Sequence, residues 1–235
     1  MSRIAFSQFA FTIAISGGIL AGCNAEPSTA ESSHIRRGVA ALDSRAAVER
    51  NLDDSNALDG ADDDDERPGL SDYERAGLKA IRQVTGSYDS LDAANAAGYT
   101  VWSPNPFAPN ATCPSNALGN MGYHLVNVPL RGAPGNPAAG NATIDLLHPQ
   151  MLLYEKEPDG EMHLVGVEYL VFKAAWERVH GVGAAPPEIL GHPLLSSSHT
   201  FVPGGPSIPH YELHVWAWSK NPLGMFAPWN PTITC

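Results

Sequence analysis

The segment His210-Tyr211-Glu212-Leu213-His214-Val215-Trp216-Ala217-Trp218 constrains the fold more than any other stretch of the chain. Its residues alternate, and side chains on a strand point to opposite faces with a period of two. Tyr211, Leu213, Val215 and Ala217 then share one face, apolar enough to be core. His210, Glu212, His214, Trp216 and Trp218 share the other. The segment also invites comparison with the helical zinc-protease motif, in which Glu directly follows the first His. Here Glu212 stands two places after His210, so that pattern fails and the strand reading holds.

Neighbouring segments fill in the rest of the domain. Ser71-Asp72-Tyr73-Glu74 has the spacing of a capping box, and Leu78, Ile81 and Val84 recur at helical intervals behind it. A second short helix is expected over Ser90–Ala97, stopped by Gly98. Beyond it Pro and Gly become frequent and the apolar runs short. Strands are expected at Tyr123–Val128, Met151–Glu155, His163–Phe172 and Tyr211–Trp218. Pro158-Asp159-Gly160 is turn chemistry, so the second and third should form an antiparallel hairpin. The expected fold class is α+β: N-terminal helices followed by a mainly antiparallel sheet, in a single domain at 69–235.

What precedes that domain has a different texture. Asp53, Asp54, Asp59, Asp62, Asp63, Asp64, Asp65 and Glu66 crowd a stretch otherwise made of small and polar residues. Such a segment buries too little apolar surface to offset its ordering entropy, so 23–68 reads as an acidic disordered tether. A calcium loop would need spaced ligands and a turn glycine, which this run lacks. The whole chain has 14 basic and 25 acidic residues and a net charge of −11. No basic patch offers a surface for nucleic acid or for a polybasic membrane contact.

The first residues carry one positive charge, at Arg3, and Ile4 to Leu20 carry none. This is the layout of a signal peptide over 1–22. The following Leu20-Ala21-Gly22-Cys23 resembles the lipobox of bacterial lipoproteins. That resemblance implies acylation of Cys23, with palmitate among the attached chains, and cleavage before it. It also implies export and a membrane partner reached through the lipid. By the same resemblance, Asn24 in place of Asp implies the outer membrane or cell surface. With Cys23 acylated, Cys113 and Cys235 are left as an even pair, which in an exported protein suggests a disulfide. A pair of metal-binding thiolates is the rival reading, but neither has a second cysteine at zinc-clip spacing.

Chemistry is sought on the polar strand faces. Gly166, Glu168 and Leu170 share one face of their strand, and Gly122-Tyr123-His124 opens another. If His124 and Glu168 face the same side as His210 and His214, the set is three imidazoles and a carboxylate. It suits a divalent transition metal: zinc, copper or iron. The same residues on a sheet surface, hydrogen-bonded and without a metal, are the plainer reading. A second use of the face is a small-molecule or cell-envelope ligand pocket built from Glu212, Trp216, Trp218 and Trp229. In that case the protein is a non-enzymatic binding or structural module with an aromatic C-terminal surface. The proline-rich tail 221–231 also fits a segment that merely covers the sheet. Glu168 and Glu212 could pair as catalytic carboxylates only at a suitable separation. Ser196-Ser197-Ser198-His199 is expected in a loop and lacks a nucleophile elbow, and Gly204-Gly205-Pro206 is loop punctuation. The strings MGYHLVN, LVGVEYLV, HYELHVWAW and NPLGMFAPWNP resemble those of secreted bacterial proteins of uncharacterised activity, which assigns no reaction.

Overall fold

A computed structural model of the chain describes residues 67, 69–103, 113–202 and 204–235. The expected signal peptide, Cys23 and the tether up to Glu66 lie outside the described residues. Arg67 belongs to the expected tether, yet it is fastened to the domain. Its guanidinium donates to the carbonyls of Trp216 at 2.5 Å, Ala217 at 3.2 Å and Ser219 at 3.3 Å.

The fold is α+β, as the sequence pattern requires. Helix α1 (Asp72–Thr85) starts at Ser71, where the capping box is complete: the Ser71 side chain accepts from the Glu74 N–H and Glu74 reaches back to the Ser71 N–H. α2 (Leu91–Ala96) is capped by Ser90. The strands are β1 (Tyr99–Ser103), β2 (Ser115–Asn116), β3 (Gly119–Asn120), β4 (Tyr123–Asn127), β5 (Met151–Lys156), β6 (Met162–Phe172), β7 (Glu188–Ile189), β8 (His192–Pro193), β9 (Leu195–His199) and β10 (Ile208–Val215). Two further helices, α3 (Val128–Arg131) and α4 (Lys173–His180), follow β4 and β6 directly. Six strands form one antiparallel sheet in the order β1-β4-β5-β6-β10-β9. The pairs β2–β3 and β7–β8 are separate short hairpins. Among the described residues no helix is long and apolar enough to cross a membrane.

The two sheet faces differ as the alternation in β10 demands. Tyr211, Leu213 and Val215 join Leu125, Leu152, Val167, Tyr169 and Val171 in the main core, and the apolar side of α1 (Leu78, Ile81) closes over them. The opposite face carries Glu168, His210, Glu212 and His214, flanked by two smaller apolar clusters. One holds Val126, Met151, Leu170, Phe172 and Phe201; the other holds Leu153, Val165, Trp216 and Ile233. By strand alternation Val165 belongs with Val167, Tyr169 and Val171 on the helix-covered face. An irregularity in the β5–β6 pairing at Leu153/Tyr154 leaves it unpaired, and it packs with Trp216 instead.

The C-terminal tail lies across this second face. Trp216 donates its ring N–H to the Ala227 carbonyl at 2.7 Å. Asn120 and Asn230 exchange backbone hydrogen bonds of 3.0 and 2.9 Å. Cys113 and Cys235 sit at disulfide distance, their Cα atoms 5.8 Å apart. The terminal residue is thereby fixed to the segment leading into β2.

Candidate metal centre

Three strands deliver three buried polar side chains to one point on the second face. His214 on β10 stands directly opposite Glu168 on β6. His124, on β4, reaches over β5 to join them. Its Nε2 lies 3.3 Å from Glu168 Oε2 and 3.4 Å from His214 Nε2, while His214 Nε2 is 4.0 Å from the same carboxylate oxygen. All three residues are buried. Donors bound tetrahedrally to one ion at ~2.0–2.1 Å are ~3.3–3.4 Å from each other, so two of the three separations already match. Glu168 Oε2 and His214 Nδ1 are buried without a hydrogen-bond partner among the described residues. A buried, unpartnered carboxylate oxygen is costly, and a cation between the three donors removes that cost.

The electrostatics suit the same role. Burial, then the neighbouring His214, pushes His124 down to about 3. Burial pushes His214 down to about 4. Both rings are therefore neutral at physiological pH, the form that ligates metals. Burial, reinforced by the charge of Glu212 and a hydrogen bond with it, holds Glu168 well above the usual carboxylate range. Burial opposes ionisation of Glu212 too, but His199 and His210, whose Nε2 atoms lie 3.4 and 2.9 Å from its Oε2, outweigh it and hold that carboxyl below its usual range. Arg131 is buried between the rings of Phe172 and Phe201, 5.7 and 5.2 Å from them, and its charge favours ionised Glu168.

The four residues His124, Glu168, His210 and His214 do not form one set. His210 and His214 are four residues apart on an extended strand, so their Cα atoms are separated by ~13 Å. One ion cannot span that. The described residues hold two groups instead: His124, Glu168 and His214, and separately His199, His210 and Glu212. His199 is absent from the sequence-derived candidates because Ser196-Ser197-Ser198-His199 reads as loop. It is the end of edge strand β9, where Leu195, Ser197 and His199 share the face of Glu212, His210 and Ile208. The signal for it lay in the turn residues Gly204-Gly205-Pro206 between that segment and β10.

A cavity of about 440 Å³ opens over both groups. Its walls include Met121, Met151, Phe201, Pro228 and Trp229. Of the aromatic pocket expected from sequence, Glu212 and Trp229 line this cavity. Trp216 shares the face but is fully buried under the tail. Trp218 lies on the helix side: its ring N–H donates to Thr85 Oγ1 at 3.4 Å and the Arg82 guanidinium sits 5.7 Å above its ring. The reason is that β10 ends at Val215, and a tight turn, Ala217 N–H to Val215 carbonyl at 2.8 Å, breaks the alternation that the sequence pattern extends to Trp218.

No family model matches the chain, and no curated protein or solved structure is detectably similar to it.

Proposed function

We propose that this is an exported, lipid-anchored domain that binds a divalent transition metal through His124, Glu168 and His214. The observation that carries the reading is the convergence of three buried donors at ligand-to-ligand spacing, one of them an unpartnered carboxylate oxygen. Two imidazoles and one carboxylate suit zinc, iron or copper. Three protein ligands leave a coordination position for water or substrate, as in catalytic rather than closed structural sites. Here that position would face the cavity, which supports metal-assisted hydrolysis or oxidation of a small molecule. The test is elemental analysis of untagged protein, followed by calorimetric titration with zinc, copper and iron. Stoichiometric metal lost in the His124→Ala/His214→Ala double variant is the expected result. Metal-free protein that takes up none of the three ions would refute the reading. Anchoring rests on the Leu20–Cys23 sequence, and mass spectrometry of detergent-extracted protein, with and without Cys23→Ala, checks it.

A second reading is ligand capture in the cavity without chemistry, favoured by Trp229 and Glu212 on its wall. Quenching of Trp fluorescence by cell-wall sugars, abolished in Trp229→Leu, is its expected signature.

A further inference from the structure

His199, His210 and Glu212 present a second convergence of donors on the same face. Glu212 Oε2 lies 2.9 Å from His210 Nε2 and 3.4 Å from His199 Nε2. The other nitrogen of each ring is already spoken for. His210 Nδ1 is 2.7 Å from the Ile208 carbonyl, and His199 Nδ1 is 3.3 Å from the Thr200 carbonyl. A carbonyl only accepts, so each Nδ1 carries the proton. In neutral rings both Nε2 atoms then offer lone pairs to a carboxylate oxygen that is itself an acceptor. Three acceptors meeting at one point are the arrangement that a bound cation gathers.

A single divalent ion satisfies all three acceptors at once. Backbone carbonyls that hold the far nitrogen and aim Nε2 inward are the usual support for metal-bound histidine.

We propose that His199, His210 and Glu212 form a second site for a divalent transition metal, beside the first along β10. Glu212 and Glu168 act on each other electrostatically and line the same cavity, so the two sites adjoin. The cavity floor would thus carry two ions rather than one. The second site is the more open: the His199 side chain is 47% exposed and sits on an edge strand, whereas every donor of the first site is buried. It should release its ion to a chelator first.

The experiment is zinc and cobalt titration of chelator-stripped, untagged mature chain, with metal counted by elemental analysis after gel filtration. Two equivalents are expected for the wild type. His199→Ala, on the exposed edge, should retain one, with at least a tenfold loss of affinity for the other. Glu212→Gln should behave the same way if both variants keep the wild-type circular dichroism. His124→Ala/His214→Ala should keep the equivalent that His199→Ala loses. One equivalent in both wild type and His199→Ala would overturn the second site and leave the first standing. One equivalent lost in His199→Ala but kept in His124→Ala/His214→Ala would do the reverse. No bound metal in any form would overturn both.

Discussion

A carboxyl group buried beside two imidazoles and a second carboxyl must find its countercharge in a proton or in a metal ion. Glu168 is in that position, and its two options predict opposite behaviour. Without metal, burial and Glu212 keep it protonated well above the ordinary value of 4.5. The unfolded chain releases that proton near the ordinary value and the folded chain does not. Stability from this group is therefore full below the unfolded pKa and is lost as pH rises towards the folded one. Glu168→Gln keeps the shape and removes the ionisation. In chelator, urea unfolding should show the variant gaining on wild type as pH rises above about 5, by up to about 1.4 kcal/mol per pH unit. With zinc present the order should reverse, because glutamine cannot supply the anionic ligand. A flat difference across that range would mean that Glu168 is ionised in the metal-free protein. His124 and His214, pushed down to about 3 and about 4, need lose no proton to bind metal near neutrality.

The elements differ in how plainly the sequence announces them. β10 is legible because Tyr211, Leu213 and Val215 alternate with polar residues, and α1 because Ser71 and Glu74 bracket its first turn. β9 is not, because an edge strand reading Leu195-Ser196-Ser197-Ser198-His199 buries little and so needs no apolar period. An edge strand with no apolar period gives no sign of His199, and strand alternation alone places His210 on the face of His214 without separating the two groups. The tail is legible in its covering role, through its prolines and its terminal cysteine. Its attachment makes two predictions. Cys235→Ser opens a link across 122 residues and should cost about 3–5 kcal/mol in denaturant unfolding, since long closed loops gain most from a crosslink. Gly119 has φ +130°, and an added Cβ there would run into the backbone of Asn230. Gly119→Ala should therefore cost about 1–3 kcal/mol by parting the tail from β3, with exposure of Trp229 visible as a red shift in fluorescence. A variant as stable as wild type would show that the Asn120–Asn230 bridge does not hold the tail.

At the scale of the molecule, the site belongs to the sheet and not to any one strand. His124, Glu168 and His214 are 90 residues apart at the extremes, and β5 lies between two of the strands that carry them. Strand periodicity tells which side each residue takes relative to its own neighbours. It does not tell that residues 173–194 leave the sheet after β6 and that the chain returns as edge strand β9 and then β10, which pairs with β6. The pairing of His214 with Glu168 was for that reason out of reach of the sequence, although each residue could be named as a donor. A bound ion would act as a crosslink among β4, β6 and β10. Binding to the folded state alone adds about 2.7 kcal/mol at a hundredfold excess over Kd. For a domain of this size that corresponds to a rise in Tm of roughly 5–11 °C. The stabilisation should also be local in origin. Amide hydrogen exchange, compared with and without zinc, should slow together in β4, β6 and β10, while the exposed turns of α4 change little. In His124→Ala/His214→Ala the Tm should not respond to first-site metal, and exchange in β4 should be unchanged. Protection confined to β9 and β10 would instead place the ion at His199, His210 and Glu212 alone, because β4 contributes no ligand to that group.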